Sequence, residues 1–242
     1  MLEGLYSAAA GMEAQQLQLD AVSNDLANLS TNGYESERVA FGDLLYNHVD
    51  LAGTETGAGA GAEAQIIGRD EAEGALKQTG DALDLAVEGQ GYFQVTRPDG
   101  SVALTRDGEF GLDGSGQIVD AQGNRLHPPI TLPKGTAASE LGVAADGTVT
   151  AGGKRLGRIE LVTVPSPGHL TAEGGGLLVP GSASGAPHAA SGRIQQGALE
   201  DSNVDIGRDM TTMMTAERAF QMQSAAIQNE SQMMSIANEL KT

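Results

Sequence analysis

The chain has 242 residues, with 14 Lys and Arg against 32 Asp and Glu for a net charge of −18, and it lacks both Cys and Trp. Such an acidic balance excludes a free nucleic-acid binder, whose phosphate contacts need Lys and Arg, and disfavours an anionic membrane surface. Zero Cys removes disulfides, thiolate metal sites and Cys nucleophiles. With aromatics at 3%, any core must be built from Leu, Val, Ile, Ala and Met.

No stretch approaches the ~18 consecutive apolar residues that would span a bilayer, so no membrane insertion is expected. The start, Met1-Leu2-Glu3-Gly4-Leu5-Tyr6, has no basic residue and no apolar block before Ala8-Ala9-Ala10. It does not read as a cleaved secretory leader.

In residues 5–29 the column Leu5, Met12, Leu19, Leu26 repeats every seven residues, beside Ala8, Gln15, Val22, Leu29. These are the two seam positions of a heptad, and they predict a helix about 37 Å long. Ser30-Thr31-Asn32-Gly33 then ends it with turn chemistry, Gly33 being free to take a positive φ.

Residues 52–64 (AGTETGAGAGAEA) form a Gly/Ala low-complexity stretch, which predicts a flexible loop. From about residue 65 to 197 short apolar alternations are broken by Asp99-Gly100, Asp107-Gly108, Asp113-Gly114 and Asp146-Gly147. Asp-Gly between alternating apolar residues is a hairpin signal. Strands are expected at 82–87, 92–95, 102–104, 117–119, 148–151 and 158–164, making an antiparallel β middle. Gly174-Gly175-Gly176 reads as a turn.

At the other end Ile206, Met213, Phe220, Ile227 and Met234 form a second seven-residue column, flanked by Ala219, Ala226, Met233 and Leu240. Asp201, Ser202, Asn203 and Asp205 are N-cap candidates, and Asp209 favours the positive end of the helix dipole. The expected helix covers residues 204–240. The fold class is therefore α+β, with long terminal helices pairing as a coiled coil around a mainly antiparallel β middle domain. The segments are 1–43, 44–80 (an extended, partly flexible loop), 81–197 and 198–242.

No catalytic constellation assembles. His48, His127, His169 and His188 are isolated, and no hydrolase, zinc-protease or phosphate-loop motif is present. Asp81, Asp84 and Glu88, with Asp107 and Glu109, could supply an acid pair for sugar hydrolysis. The chain offers few aromatic rings for a sugar to stack on, and solvated surface is the simpler reading. The Asp-Gly turns superficially resemble calcium loops, but Asp113-Gly114-Ser115-Gly116 lacks the ligand spacing that calcium needs. No cofactor or metal is expected, and an acidic calcium-stabilised adhesin is kept as an alternative.

Both helical stripes are narrow, as in a coiled-coil seam rather than a globular face. The second is rich in Met (Met210, Met213, Met214, Met222, Met233, Met234), a residue suited to adaptable contacts. The expected interface is Leu5, Met12, Leu19, Val22, Leu26, Leu29, Ile206, Met213, Phe220, Ile227 and Met234.

The run Ser23-Asn24-Asp25-Leu26-Ala27-Asn28-Leu29-Ser30-Thr31-Asn32-Gly33-Tyr34 resembles the N-terminal signature of the bacterial flagellar rod and hook proteins. Glu35 stands where that family usually has Lys. The segments 83–95, Thr105-Arg106-Asp107-Gly108-Glu109-Phe110, 197–205 and Glu217-Arg218-Ala219-Phe220 also resemble the family, in order along the chain. Asn24, Ala27, Asn28, Thr31, Gly33, Tyr34, Ser202, Asn203, Val204, Arg218 and Ala219 carry its signature. The length is similar to that of a rod component with one middle domain, although a proximal rod or hook-family subunit is an alternative.

The resemblance implies a structural rod subunit of the flagellar basal body, in the cell envelope. Such subunits leave the cell through the flagellar export apparatus without a cleaved signal. They assemble as a homo-oligomeric helical filament beside other rod proteins and the hook protein.

Overall fold

The computed structural model describes residues 2–44, 47–51, 54–58, 61–133, 135 and 138–239. Two helices, α1 (Leu2–Ala27) and α2 (Ile206–Glu239), bracket a series of short strands. The chain divides into two compact units: residues 1–27, 37–67 and 205–242 form one, and residues 28–36 with 68–204 form the other. The last expected helical position, Leu240, lies outside the described residues.

In the first unit α1 and α2 pack together. Asp205 is the cap that α2 uses, its Oδ1 accepting from the backbone N–H of Gly207 at 2.9 Å and of Arg208 at 3.1 Å. These are otherwise orphan donors of the first turn. The Gly/Ala-rich stretch departs from the expected loop. Thr54–Ala58 pairs antiparallel with Asn47–Leu51, and Ala62–Arg69 pairs with Glu37–Asp43. Low complexity biased the reading, because Gly and Ala weaken β propensity without forbidding a ladder of backbone hydrogen bonds.

The second unit centres on a seven-stranded antiparallel sheet. Its strands run in the order Thr171–Gly174, Leu177–Val179, Val102–Thr105, Phe93–Thr96, Arg125–Leu126, Ile118–Val119, Gly111–Leu112. Phe93 and Val95 are buried while Gln94 and Thr96 are half-buried, the alternation of a one-sided sheet. Leu85, Val87, Phe93, Val95, Ile118, Leu126, Val149 and Ile159 anchor the main core cluster. Phe93 meets Phe110 edge to face, with ring centroids 5.2 Å apart, the arrangement that ring quadrupoles favour.

Three of the four Asp-Gly pairs make hairpin turns, at Asp99, Asp113 and Asp146. Each aspartate accepts the backbone N–H two residues on, at 2.8, 2.8 and 3.0 Å, which closes the turn locally. Asp107-Gly108 does not join paired strands. Its glycine is pressed against Leu85, whose N–H donates to the Gly108 carbonyl at 3.0 Å. The strand expected at 158–164 is broken in two: Lys154–Arg158 closes a three-stranded sheet, and Val162–Thr163 pairs with His188–Ala189.

Candidate assembly interface

The helix pair is antiparallel, and two of its contacts fall on glycines next to the expected apolar column of α1. A side chain on Gly4 would stand 3.3 Å from Glu230 Oε2, and one on Gly11 would stand 2.7 Å from Gln223 Nε2. The step between these contacts is seven residues on both helices. Continued, the register runs toward Gln18 with Ala216 and Asp25 with Asp209, and of these Asp25, Asp209 and Ala216 are buried. Gly4 and Gly11 thus admit long polar side chains from α2, while Ala14, Ala21 and Val22 on α1 and Ala216 on α2 are buried apolar residues of this unit. Asp25 Oδ1 accepts the Glu37 N–H at 3.1 Å.

The expected interface residues flank this column. Val22 is buried, whereas Leu5, Met12, Leu19, Leu26, Leu29, Met213, Phe220, Ile227 and Met234 are half-buried. Ile206 is 47% exposed. More apolar area lies open on α2, where Met210, Met214, Met222, Met233 and Ile236 are all exposed, Met222 to 68%. They do not form one stripe: at about 100° per residue Met210 and Met214 lie far round the helix from Gln223, whereas Met222 and Met233 flank the Gln223–Glu230 column. On α1, Tyr6 is likewise exposed.

In the second unit the signature residues gather around a buried ion network. The Thr31 hydroxyl and N–H both turn back on Asn28, at 3.2 and 3.0 Å, and Gly33 sits at φ +64°. Its N–H donates to the Glu200 carbonyl at 2.7 Å, and the Tyr34 carbonyl accepts the Asn203 N–H at 3.2 Å. The Asn203 side chain accepts the Ser36 N–H at 2.8 Å and donates to the Asp70 and Ala72 carbonyls at 2.8 and 2.9 Å. Ser202 accepts the Val204 N–H at 3.3 Å, and Val204 is buried. Asn24 and Ala27 are exposed near the end of α1, and on α2 Arg218 is exposed while Ala219 is half-buried. Peptide that follows α1 in sequence is thus laced to peptide that precedes α2.

Arg106 is the centre of that lacing and is 6% exposed. Its Nη1 reaches both Glu200 oxygens, at 2.7 and 2.9 Å, and its Nη2 donates to the Gly89 carbonyl at 2.8 Å. Its Nε is 3.7 Å from Glu35 Oε1, the same oxygen that accepts the Tyr92 hydroxyl at 2.7 Å. Burial raises the carboxyl pKa of Glu35 against the opposing pull of Tyr92 and Arg106, and it raises that of Glu200 against Arg106. The Tyr92 phenol is pushed up by its own burial and then by the Glu35 charge. One cation between two carboxylates is what makes desolvation prevail. Glu35 therefore has a partner, but the pairing links residues too distant in sequence for any local pattern to reveal.

Among the described residues no group of three or more His, Asp or Glu comes together in a way that could hold a metal ion. Nor is any described helix long and apolar enough to cross a membrane.

Comparison with known proteins follows these same segments. Residues 5–34 match the pattern of "Flagella basal body rod protein", 86–151 that of "Flagellar hook protein FlgE/F/G D1 domain", and 195–240 that of "Flagellar basal body rod FlgEFG protein C-terminal". The chain is 34% identical to the flagellar basal-body rod protein FlgG of Borreliella burgdorferi, over 100% of this chain and 99% of the relative. It is 34% identical to FlgG of Bacillus subtilis over 94% of each. It is 28% identical to the rod protein FlgF of Mesorhizobium japonicum over 93% of this chain and 92% of that one. Similarity of this extent, end to end, makes the chain a member of the flagellar basal-body rod protein family.

Proposed function

We propose that this chain is a structural subunit of the flagellar basal-body rod, of the distal rod type, and that it works without catalysis. In this reading it polymerises through its terminal helices into a hollow axial shaft that links the basal body to the hook. The terminal segments 1–43 and 198–242 line the shaft as a coiled coil. The β domain, 81–197, clads it, and residues 44–80 extend between. Other rod proteins and the hook protein are its neighbours, and the flagellar export apparatus delivers it without a cleaved signal.

The observation that carries the reading is the set of exposed apolar residues on α2, Ile206, Met210, Met214, Met222, Met233 and Ile236, left open after α2 has packed on α1. Each is about half exposed, so covering one gains roughly 1 kcal/mol and covering all six roughly 6 kcal/mol. Association alone costs about 4–15 kcal/mol. The gain falls inside that range, so one neighbour leaves little or no surplus, whereas a site touching several copies gains more for the same cost, which favours cooperative addition at a growing end. Contacts between different faces of identical copies build an open helix where the rotation between neighbours does not close into a ring.

The test is electron microscopy and sedimentation of the full-length chain beside Met214→Asp/Met222→Asp. Both side chains are exposed, so the variant keeps the wild-type circular dichroism and melting curve. Filaments from the wild type and none from the variant are the expected result. Normal filaments from the variant refute the seam.

A further inference from the structure

Three of the 14 basic residues fall within five positions, Lys154, Arg155 and Arg158, in the strand Lys154–Arg158 at the edge of a three-stranded sheet. In a regular strand, residues three apart face opposite ways, so Arg155 and Arg158 would lie on different faces. Here the pairing is Thr148 with Arg158, Val149 with Gly157, Thr150 with Arg155 and Ala151 with Lys154. Leu156 is the extra residue of a bulge, and bulges re-aim the side chains beside them. Arg155 and Arg158 thereby share the face of Thr148 and Thr150, opposite buried Val149 and Ala151. Gly157 is on the inner side, where a Cβ would meet Ile130 Cγ1 at 3.2 Å.

All three cations are exposed, and none makes an ion pair among the described residues. Arg158 spends one N–H, its Nε donating to the Asp146 carbonyl at 2.9 Å. A lone charge is enough to blunt an edge strand. Two guanidinium groups brought to one face by a bulge form instead a receptor for carboxylates, which Arg binds through paired N–H donors.

We infer that this face of the Thr148–Ala151/Lys154–Arg158 hairpin docks the acidic segment 70–73 of a second copy of this chain. The inference rests on the reading of the chain as a self-assembling subunit. The remainder of a chain at −18 is strongly acidic, so the surface fits its own kind. Asp70, Glu71 and Glu73 place three carboxylates in four residues. Glu71 and Glu73 are exposed, and none of the three makes an ion pair among the described residues. Two different faces of one molecule then meet, which is the contact type that open filaments are built from.

A charge swap in the full-length chain tests this, read by sedimentation and electron microscopy against protein concentration. R155E/R158E and E71R/E73R should each need at least tenfold more protein to assemble, and the four changes combined should restore assembly near the wild-type concentration. R125E/R193E, an equal change of net charge on exposed arginines elsewhere, should assemble as the wild type does. In 1 M salt, where screening acts within ~3 Å, the differences should shrink. Assembly of R155E/R158E at the wild-type concentration overturns the inference while leaving the rod reading intact. Loss in both pairs without rescue by the combination overturns segment 70–73 as the partner. A wild-type chain that forms no filament at all sinks the rod reading itself.

Discussion

The Tyr92 hydroxyl donates to Glu35 Oε1 at 2.7 Å, while the Arg106 guanidinium lies 5.6 Å from the centroid of the same Tyr92 ring. The phenol thus shields the carboxylate from water on one side and offers its π face to the cation on the other. Glu35→Lys sets a second cation beside Arg106 and leaves the Tyr92 hydroxyl facing a donor. A buried pair broken from one side costs about 3 kcal/mol. Urea unfolding should show that loss, with Glu35→Gln costing less than half as much because its amide oxygen still accepts from Tyr92.

Acid should favour this unit. Glu35 and Glu200 have folded pKa values raised above the ordinary 4.5. A carboxyl raised in the folded state binds its proton more tightly there, so its contribution is fully present below pH 4.5 and is lost as pH rises through the raised value. The groups facing Glu35 are Tyr92, Arg106, Arg69 and Glu200. Asp99, Asp113 and Asp146 shift the other way, held down by hydrogen bonds from Ser101, from Ser115 with Gln117, and from Thr148. Their contribution fades only below their ordinary 3.8. Melting temperature followed from pH 5 to 8 should therefore fall, and Glu35→Gln/Glu200→Gln should flatten that slope. An equal slope in the variant assigns the pH effect to Asp107, whose burial also raises its carboxyl pKa, or to the general charge of the chain.

Gly33 is fixed by two independent constraints. Its φ is +64°, and a Cβ there would stand 2.4 Å from the Arg106 carbonyl carbon, a backbone atom that has no rotamer to yield. Gly100, at φ +86°, has nothing within 4 Å of the same construction. Gly100→Ala should cost only the left-handed strain of about 1 kcal/mol. Gly33→Ala should cost at least about 3 kcal/mol, since the loop or Arg106 must move as well. Thermal unfolding of the two variants side by side separates conformation from collision.

What the sequence shows of this fold is its periodicity, and what it hides is everything that depends on pairing across distance. The seven-residue step on both helices is legible because Leu5, Met12, Phe220 and Ile227 are apolar. The contacts of Gly4 and Gly11 with Glu230 and Gln223, one position away on α1 and three on α2, are invisible to a hydrophobic pattern because these four residues are not apolar. Asp99, Asp113 and Asp146 are read correctly as turns, since each closes its turn with its own carboxylate. Asp107-Gly108 carries the same letters but is set by Leu85, more than twenty positions away. Arg106 shows no local sign of its burial, because Glu35 and Glu200, which close on it, lie far from it along the chain in both directions. The bulge at Leu156 leaves no local trace, because an extra residue is defined only by the strand opposite.

Gly11 offers the sharpest separation between the helix pair and the growing polymer. A Cβ on it would come within 2.7 Å of Gln223 Nε2, but that atom is the far end of a flexible side chain and can swing aside. Ala also gains up to about 1 kcal/mol of helix propensity over Gly. Gly11→Ala should thus be neutral or slightly stabilising, with filaments unchanged. Gly11→Phe cannot be absorbed in this way, because a ring of that size must push α2 outward and displace the exposed apolar residues it carries, from Met210 to Met233. The β unit should melt as before, since residue 11 is not part of it, while pelletable polymer disappears. Equal assembly by both variants would show that the spacing of α1 and α2 does not matter to the polymer.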